Sequence, residues 1–235
     1  CGAQTQGTIG FTLVNALERR LAEHEVSRPV TALVTRTLVD PGDPAFATPT
    51  KAIGPYNDAA HAAAKQAEGQ VWRDEGKRGW RRLVASPEPV EILDAGAVSA
   101  LLGAGFLVVA AGGGGIPCVP DPRGGYRGTE AVIDKDLTAY LLSRMVEADL
   151  LVIATDVENA VLAWGTPEAR ALGRVPVSEL RRFVDAGEFG VGSMGPKIEA
   201  VTRFVEAGGS RAVVTALSSI AAAVRGGVGT EVVPD

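Results

Sequence analysis

Four consecutive glycines, Gly112, Gly113, Gly114 and Gly115, follow directly on the apolar run 106–111 (Phe-Leu-Val-Val-Ala-Ala) and lead straight into Ile116 and Pro117. The apolar run reads as a strand buried on both faces, as in a parallel sheet covered by helices. Ordering four glycines costs much backbone entropy, so a folded chain keeps them for a reason. The usual one is close approach of backbone N–H groups to an anion, where a Cβ would obstruct. The competing reading is a linker, but linkers seldom leave a buried strand and enter Ile-Pro-Cys-Val. Ligands in open α/β sheets gather at the carboxyl ends of strands, which favours a ligand loop.

The net charge of −5 over 235 residues argues against broad binding to nucleic acid or an anionic membrane. Cys1 and Cys118 make no CxxC pair, and His24 and His61 are too few for a His-rich metal site, so a reduced, cytoplasmic setting is expected. No charge occurs from residue 95 to 120, a stretch long enough to span a bilayer. Gly103, Gly105, the glycine run and Pro117 interrupt it, so helix, turn and strand fit better than a membrane segment. The sequence opens at Cys1 without a methionine, which suggests a trimmed or incomplete chain.

Ile9, Leu13, Leu17 and Leu21 recur at helical spacing, predicting an amphipathic helix over 6–22. Residues 30–39 read as one strand. From 40 to 89 the texture changes to prolines, charges and few aliphatic runs, with Trp72, Trp80, Tyr56 and Phe46 available for a small core. This predicts a compact excursion at 40–89, with 80–84 its only apolar strand candidate, inserted into a main domain of 1–39 and 90–235. The main domain resumes with a helix over 95–104, the strand 106–111, and a turn at 121–125 between short β pieces. A helix carrying Leu137, Leu141, Leu142 and Met145 follows, then a buried strand at 150–156. Further helices are expected over 179–186, capped by Ser178, after a cap at Ser193, and over 218–225, with strands at 211–215 and 230–233. Alternation of strands with helices implies an α/β fold with a mainly parallel sheet between helical layers.

Two lysines sit where electrostatics disfavour them. Lys135 begins one predicted helix and Lys197 lies in the first turn of another, beside Met194, Pro196 and an inner stripe of Ile198, Val201 and Val205. A cation at a helix N-terminus is unfavourable by a few tenths to about 1 kcal/mol, and becomes favourable once a polyanion docks there. A solvated surface lysine is the plain alternative. Asp134 and Asp136 flank Lys135 and can orient the lysines, help hold magnesium, or cap the helix. Asp156, after a buried strand, is either a nucleotide ligand or a turn residue. Met194, Ile198 and Trp164 read as core or pocket wall, Glu18, Arg19, Arg20, Arg181 and Arg182 as exposed faces, and Cys118 as a buried inert thiol.

These residues resemble the carbamate kinases. The similarity is carried by Gly112-Gly113-Gly114-Gly115-Ile116-Pro117, by Glu130-Ala131-Val132-Ile133-Asp134-Lys135-Asp136, by Thr155-Asp156-Val157 with Trp164-Gly165-Thr166-Pro167, and by Met194-Gly195-Pro196-Lys197. Gly2-Ala3-Gln4-Thr5-Gln6-Gly7 and Pro49-Thr50-Lys51-Ala52-Ile53-Gly54-Pro55 continue it in the family's order. The resemblance implies the amino-acid-kinase fold, a three-layer sandwich with an open, mainly parallel sheet and a protruding lid at 40–89. It implies reversible phosphoryl transfer between ATP and carbamate, with ADP and carbamoyl phosphate on the other side, magnesium as cofactor, and a cytoplasmic homodimer. Lys135 and Lys197 would contact the transferring group and Asp136 would position them. Lys51 and the glycines would hold phosphate or substrate; Asp134, Asp156, Met194 and Pro196 would line the nucleotide site.

Departures from the family pattern bear on activity. Its Gly-Gly-Asn loop and His-Gly-Asn-Gly segment do not occur, and Val161 stands where the family often has Tyr. The resemblance therefore implies an N-terminally truncated core with impaired catalysis and stability. Two other readings stay open: a non-catalytic nucleotide-binding or dimerisation remnant, and an amino-acid kinase with another acceptor.

Overall fold

The computed structural model describes residues 2–190 and 194–235, so the expected cap at Ser193 lies outside it. In chain order it begins with α1 (Gly2–Glu23), β1 (Val30–Ala32), β2 (Arg36–Val39), β3 (Lys51–Asn57), α2 (Ala59–Ala67), β4 (Val71–Asp74), β5 (Trp80–Val84) and β6 (Pro89–Ile92). Then come α3 (Ala95–Gly103), β7 (Leu107–Val109), β8 (Ile116–Pro120), β9 (Tyr126–Gly128), α4 (Lys135–Met145) and β10 (Leu150–Thr155). The rest comprises β11 (Val161–Leu162), β12 (Arg170–Ala171), β13 (Arg174–Pro176), α5 (Val177–Asp185), α6 (Met194–Glu206), β14 (Arg211–Ala216), α7 (Ile220–Arg225) and β15 (Thr230–Val233). The chain divides into two compact units, Cys1–Asp94 with Gly105–Lys135, and Ala95–Ala104 with Asp136–Asp235.

In the second unit the sheet order is β10-β14-β15-β13, with β10 parallel to β14 and β15 antiparallel to it. Ala212, Val213, Val214 and Thr215 are all buried, the continuous pattern of a strand covered on both faces. Helix α6 lays Ile198, Val201, Phe204 and Val205 into the same core, at the spacing that keeps side chains on one helical face. Leu180 of α5 joins them, and the two helices are clasped by Arg181, which bonds Glu199 at 2.9 Å and Glu206 at 2.7 Å. Arg181 is thus a half-buried clamp rather than the exposed charge the sequence implies. Ser178 caps nothing either: Pro176 is the residue before α5, without a side-chain cap, and the Ser178 N–H donates to Asp235.

The first unit departs further from the sequence reading. The expected strand 30–39 breaks at residues 33–35 into β1, parallel to β7, and β2, which lies between β6 and β8. The break arises where the Thr35 backbone bonds the Gln6 carboxamide and its hydroxyl bonds the Ala111 N–H. Strand β7 is shorter than expected and only half-buried, and among the described residues its one pairing partner is β1. Helix α1 buries Gln6 and Gly10, while Ile9 is 50% and Leu13 42% exposed, so the apolar stripe of the predicted amphipathic helix is not the face it buries.

Residues 51–84 hold three strands and a helix, where the sequence offered one strand candidate. The strands form an antiparallel sheet in the order β3-β5-β4. Its hydrophobic content is modest: Trp72 meets His61 edge-on, and the guanidinium groups of Arg78 and Arg81 lie over the Tyr56 ring, 5.5 and 5.3 Å from its centre. Phe46 packs instead with Val39, Val119 and Ile133.

Candidate active site

The glycine run after β7 folds as a tight turn with Ala111 (φ 63°), Gly112 (φ 47°), Gly114 (φ 124°) and Gly115 (φ 85°) in left-handed backbone. Side chains of the first unit pin it. The carboxamide of Gln6 donates to the Thr35 carbonyl at 3.0 Å and accepts from the Thr35 N–H at 2.9 Å. The Thr35 hydroxyl accepts from the Ala111 N–H at 2.9 Å, and the Thr37 hydroxyl donates to the Gly114 carbonyl at 2.9 Å. All three side chains are buried, and a satisfied buried polar network of this kind fixes a single backbone geometry.

Three of the four glycines are explained by that geometry alone. A Cβ at Gly112 would meet Gln6 Cγ at 2.7 Å, one at Gly114 the Ile133 carbonyl oxygen at 2.5 Å, and one at Gly115 the Thr37 side chain. Gly113 is different: it is exposed, has no left-handed backbone and would have open space around a Cβ. Its bareness is the one that the fold itself does not require. The loop borders a cavity of about 930 Å³ that also takes in Arg82, Thr129, Glu130 and Ile133.

Two lysine–aspartate pairs stand out. In the first unit Lys51, at the start of β3, places Nζ 2.6 Å from Oδ2 of Asp134, the residue immediately before α4. Asp134 is buried and Lys51 partly exposed. In the second unit Lys197 Nζ lies 2.9 Å from Oδ2 of Asp136, with the two side chains 6% and 7% exposed. Asp136 sits in the first turn of α4, where the helix dipole favours a carboxylate; Lys197 sits in the first turn of α6, where the dipole opposes an ammonium. Pro196 is accommodated in that turn because its missing N–H has no helical acceptor to lose. Gly195 is required there, since a Cβ would strike the Gly190 carbonyl oxygen.

Lys135 begins α4, and Met194 and Pro196, both half-buried, open α6. Asp156 directly follows β10, is exposed, and accepts from the Thr155 hydroxyl at 3.0 Å. Next to it, Glu158 accepts from the hydroxyls of Thr215 at 3.2 Å and Ser219 at 2.9 Å. Asp156 and Glu158 thus lie at the carboxyl ends of the parallel strands β10 and β14, where α/β sheets bind ligands. Cys118 is a free buried thiol whose pKa burial pushes up, so it is inert at neutral pH.

Gln6, Thr35, Thr37 and Glu158 carry this architecture, and sequence reasoning gave them no role. Residue type offers no signal for a hydroxyl that braces a loop some seventy-five residues downstream (Thr35 and Ala111, |i−j| = 76). Among the described residues no three His, Cys, Asp or Glu side chains gather as a metal site. No described helix is long and apolar enough to cross a membrane.

Comparison with known proteins gives consistent relatives. The profile of the amino acid kinase family matches residues 41–216. The chain is 45% identical to the carbamate kinase of Thermococcus kodakarensis over 234 residues, 99% of this chain and 74% of that protein. It is 42% identical to the carbamate kinase of Pyrococcus furiosus, with the same coverage of 99% and 74%. Among solved structures, the carbamate kinase of Giardia lamblia bound to AMP-PNP superposes with a TM-score of 0.91 at 37% identity, covering 100% of this chain and 75% of that one.

Proposed function

The chain belongs to the amino acid kinase family and, within it, to the carbamate kinases, phosphotransferases with a carboxyl-type acceptor, and we propose that Lys197, Asp136 and Lys135 carry its transfer step. The observation that supports this reading is the buried Lys197–Asp136 pair. An ammonium 5% exposed in the first turn of a helix is disfavoured by both desolvation and the dipole. A bound phosphoryl group reverses both effects, because helix amides and ammonium then converge on one anion.

Phosphoryl transfer needs little covalent help from a protein; it needs in-line positioning and neutralisation of charge on the equatorial oxygens. A terminal oxygen of ADP attacks phosphorus of carbamoyl phosphate, the bond from phosphorus to the carbamate oxygen breaks, and carbamate leaves as ATP forms. Lys197 and Lys135 supply the positive charge, and Asp136 holds Lys197 at a fixed angle. Gly113 lets the phosphate approach the loop backbone. Asp156, Met194 and Pro196, with Asp134, form the nucleotide side, in keeping with the AMP-PNP that the Giardia protein carries.

Residues 40–89 act as a lid in this reading. Lys51 exchanges Asp134 for the phosphate when substrate is present, and closure keeps out water, which would otherwise accept the phosphoryl group. Magnesium suits such a site, since it binds chiefly to phosphates, waters and one or two carboxylates, a role Asp156 can fill. When bound it neutralises phosphate charge. The reading includes a cytoplasmic homodimer, checked by sedimentation equilibrium.

Incubation with ADP and carbamoyl phosphate should generate ATP, and acetyl phosphate in its place should generate far less. Equal rates with both donors would refute carbamate as the preferred acceptor; nucleotide binding without turnover would refute catalysis.

A further inference from the structure

A second cavity, of about 560 Å³, lies wholly within the second unit and is lined by Arg174, Arg211, Arg225, Glu231 and the loop at residues 226–229. Its volume falls in the range of small-molecule sites. Arg211 is the first residue of β14, so the cavity is at the amino end of that strand. Asp156 and Glu158 lie at the carboxyl end, about 17 Å away along six residues of strand. This is therefore a separate place from the proposed transfer site.

Its charge is unbalanced, and Glu231 and Arg211 are held in place. Glu231 is 5% exposed, and both of its carboxylate oxygens are occupied: Oε1 by Arg174 at 2.6 Å and Oε2 by Arg211 at 3.0 Å. Arg211 is further held by the carbonyls of Ala223 at 3.2 Å and Val224 at 2.7 Å, which also answers the helix C-terminus that would otherwise repel an anion. Arg225 adds a third guanidinium and meets no carboxylate among the described residues. Three arginines against one glutamate leave an excess of two positive charges in a concave site, on a chain whose net charge is −5. Concavity focuses such a field on small counter-ions.

The loop wall suits the same purpose. Gly226, Gly227 and Gly229 have φ of 96°, 87° and 76°, and a Cβ on Gly226 would lie 3.0 Å from Arg211 Nη1 and 3.5 Å from Glu231 Oε2. Bare backbone here leaves room beside the guanidinium group of Arg211.

We propose that the Arg174–Arg211–Arg225 cavity is a binding site for a small polyanion with at least two oxyanion groups, remote from the transfer site. Arg174 and Arg225 would each take one group by charge-assisted bonds, on the floor fixed by Glu231 and Arg211. Phosphate and carboxylate are both compatible with guanidinium recognition, so the test uses one probe of each.

Pyrophosphate and tricarballylate are titrated into the whole protein by calorimetry. The wild type should bind at least one of them, and the tighter probe identifies the oxyanion class. Arg225→Gln and Arg174→Gln should each weaken that binding about tenfold, the value of one charge-assisted hydrogen bond. Arg225→Gln should leave the rate of ATP formation unchanged without added anion, so a failed proposal here is distinct from a failed transfer mechanism. Unchanged affinity in both variants, or neither probe binding the wild type, would overturn the proposal. A lowered Tm with unaltered affinity would do the same, since it makes the cluster purely structural.

Discussion

The two lysine–aspartate pairs are alike in length and opposite in setting. Lys51 and Asp134 meet at 2.6 Å with the lysine side chain 34% exposed; Lys197 and Asp136 meet at 2.9 Å with both side chains nearly inaccessible. A half-exposed pair gains roughly 0–1 kcal/mol and is easily broken. A buried pair is different, because desolvation has already been incurred and removing one partner strands the other, at roughly 3–5 kcal/mol. The first pair suits a group that must let go, the second a group that must not move. The proposed lid lysine and fixed transfer lysine require such a contrast.

The largest effect is expected at Lys197→Ala. Taking the ammonium away from the buried Asp136 carboxylate should cost about 3–5 kcal/mol of stability. It should also lower kcat about 10²–10³-fold, as loss of one preorganised charge donor does. Urea unfolding and ATP formation measure the two. A stable, active Lys197→Ala protein would erase the contrast.

Lys51→Ala comes next, with the balance reversed. Stability should change by less than about 1 kcal/mol, while kcat/KM for carbamoyl phosphate falls roughly tenfold, about 1.4 kcal/mol. If stability drops as far as for Lys197→Ala, Lys51 is a structural group and not a mobile one.

A smaller effect separates the glycines. Gly113→Ala should keep the unfolding midpoint within about 0.5 kcal/mol and raise KM for the phosphoryl donor. Gly114→Ala, at φ 124° and against the Ile133 carbonyl, should destabilise by about 1–3 kcal/mol. Reversal of these two outcomes would remove the ligand from the explanation of Gly113.

Much of this was readable in the sequence, for identifiable reasons. Strands β10 and β14 are legible as runs of apolar, largely β-branched residues, and the helical stripe Ile198, Val201, Val205 from spacing alone. Lys197 stood out because a cation in a first helical turn is anomalous without any structure. What stayed hidden was relational. Nothing in Thr35 announces that its hydroxyl will hold Ala111 and so interrupt the strand expected over 30–39. The strands of residues 51–74 lacked apolar alternation, because that sheet is stabilised by its pairing and by arginine–tyrosine stacking more than by burial. The stripe of α1 follows from periodicity, which reports amphipathicity but not which face is covered.

The most direct test of the buried pair is the double variant Asp136→Leu with Lys197→Met. Replacing both partners by apolar side chains of similar size removes the stranded charge, so stability should return to near the wild-type value. If the pair exists for phosphoryl transfer, kcat for ATP formation from ADP and carbamoyl phosphate should remain about 10²-fold or more below wild type in this well-folded protein. Recovery of wild-type kcat together with stability would contradict it, and would reduce Lys197 and Asp136 to a structural bond between α6 and α4.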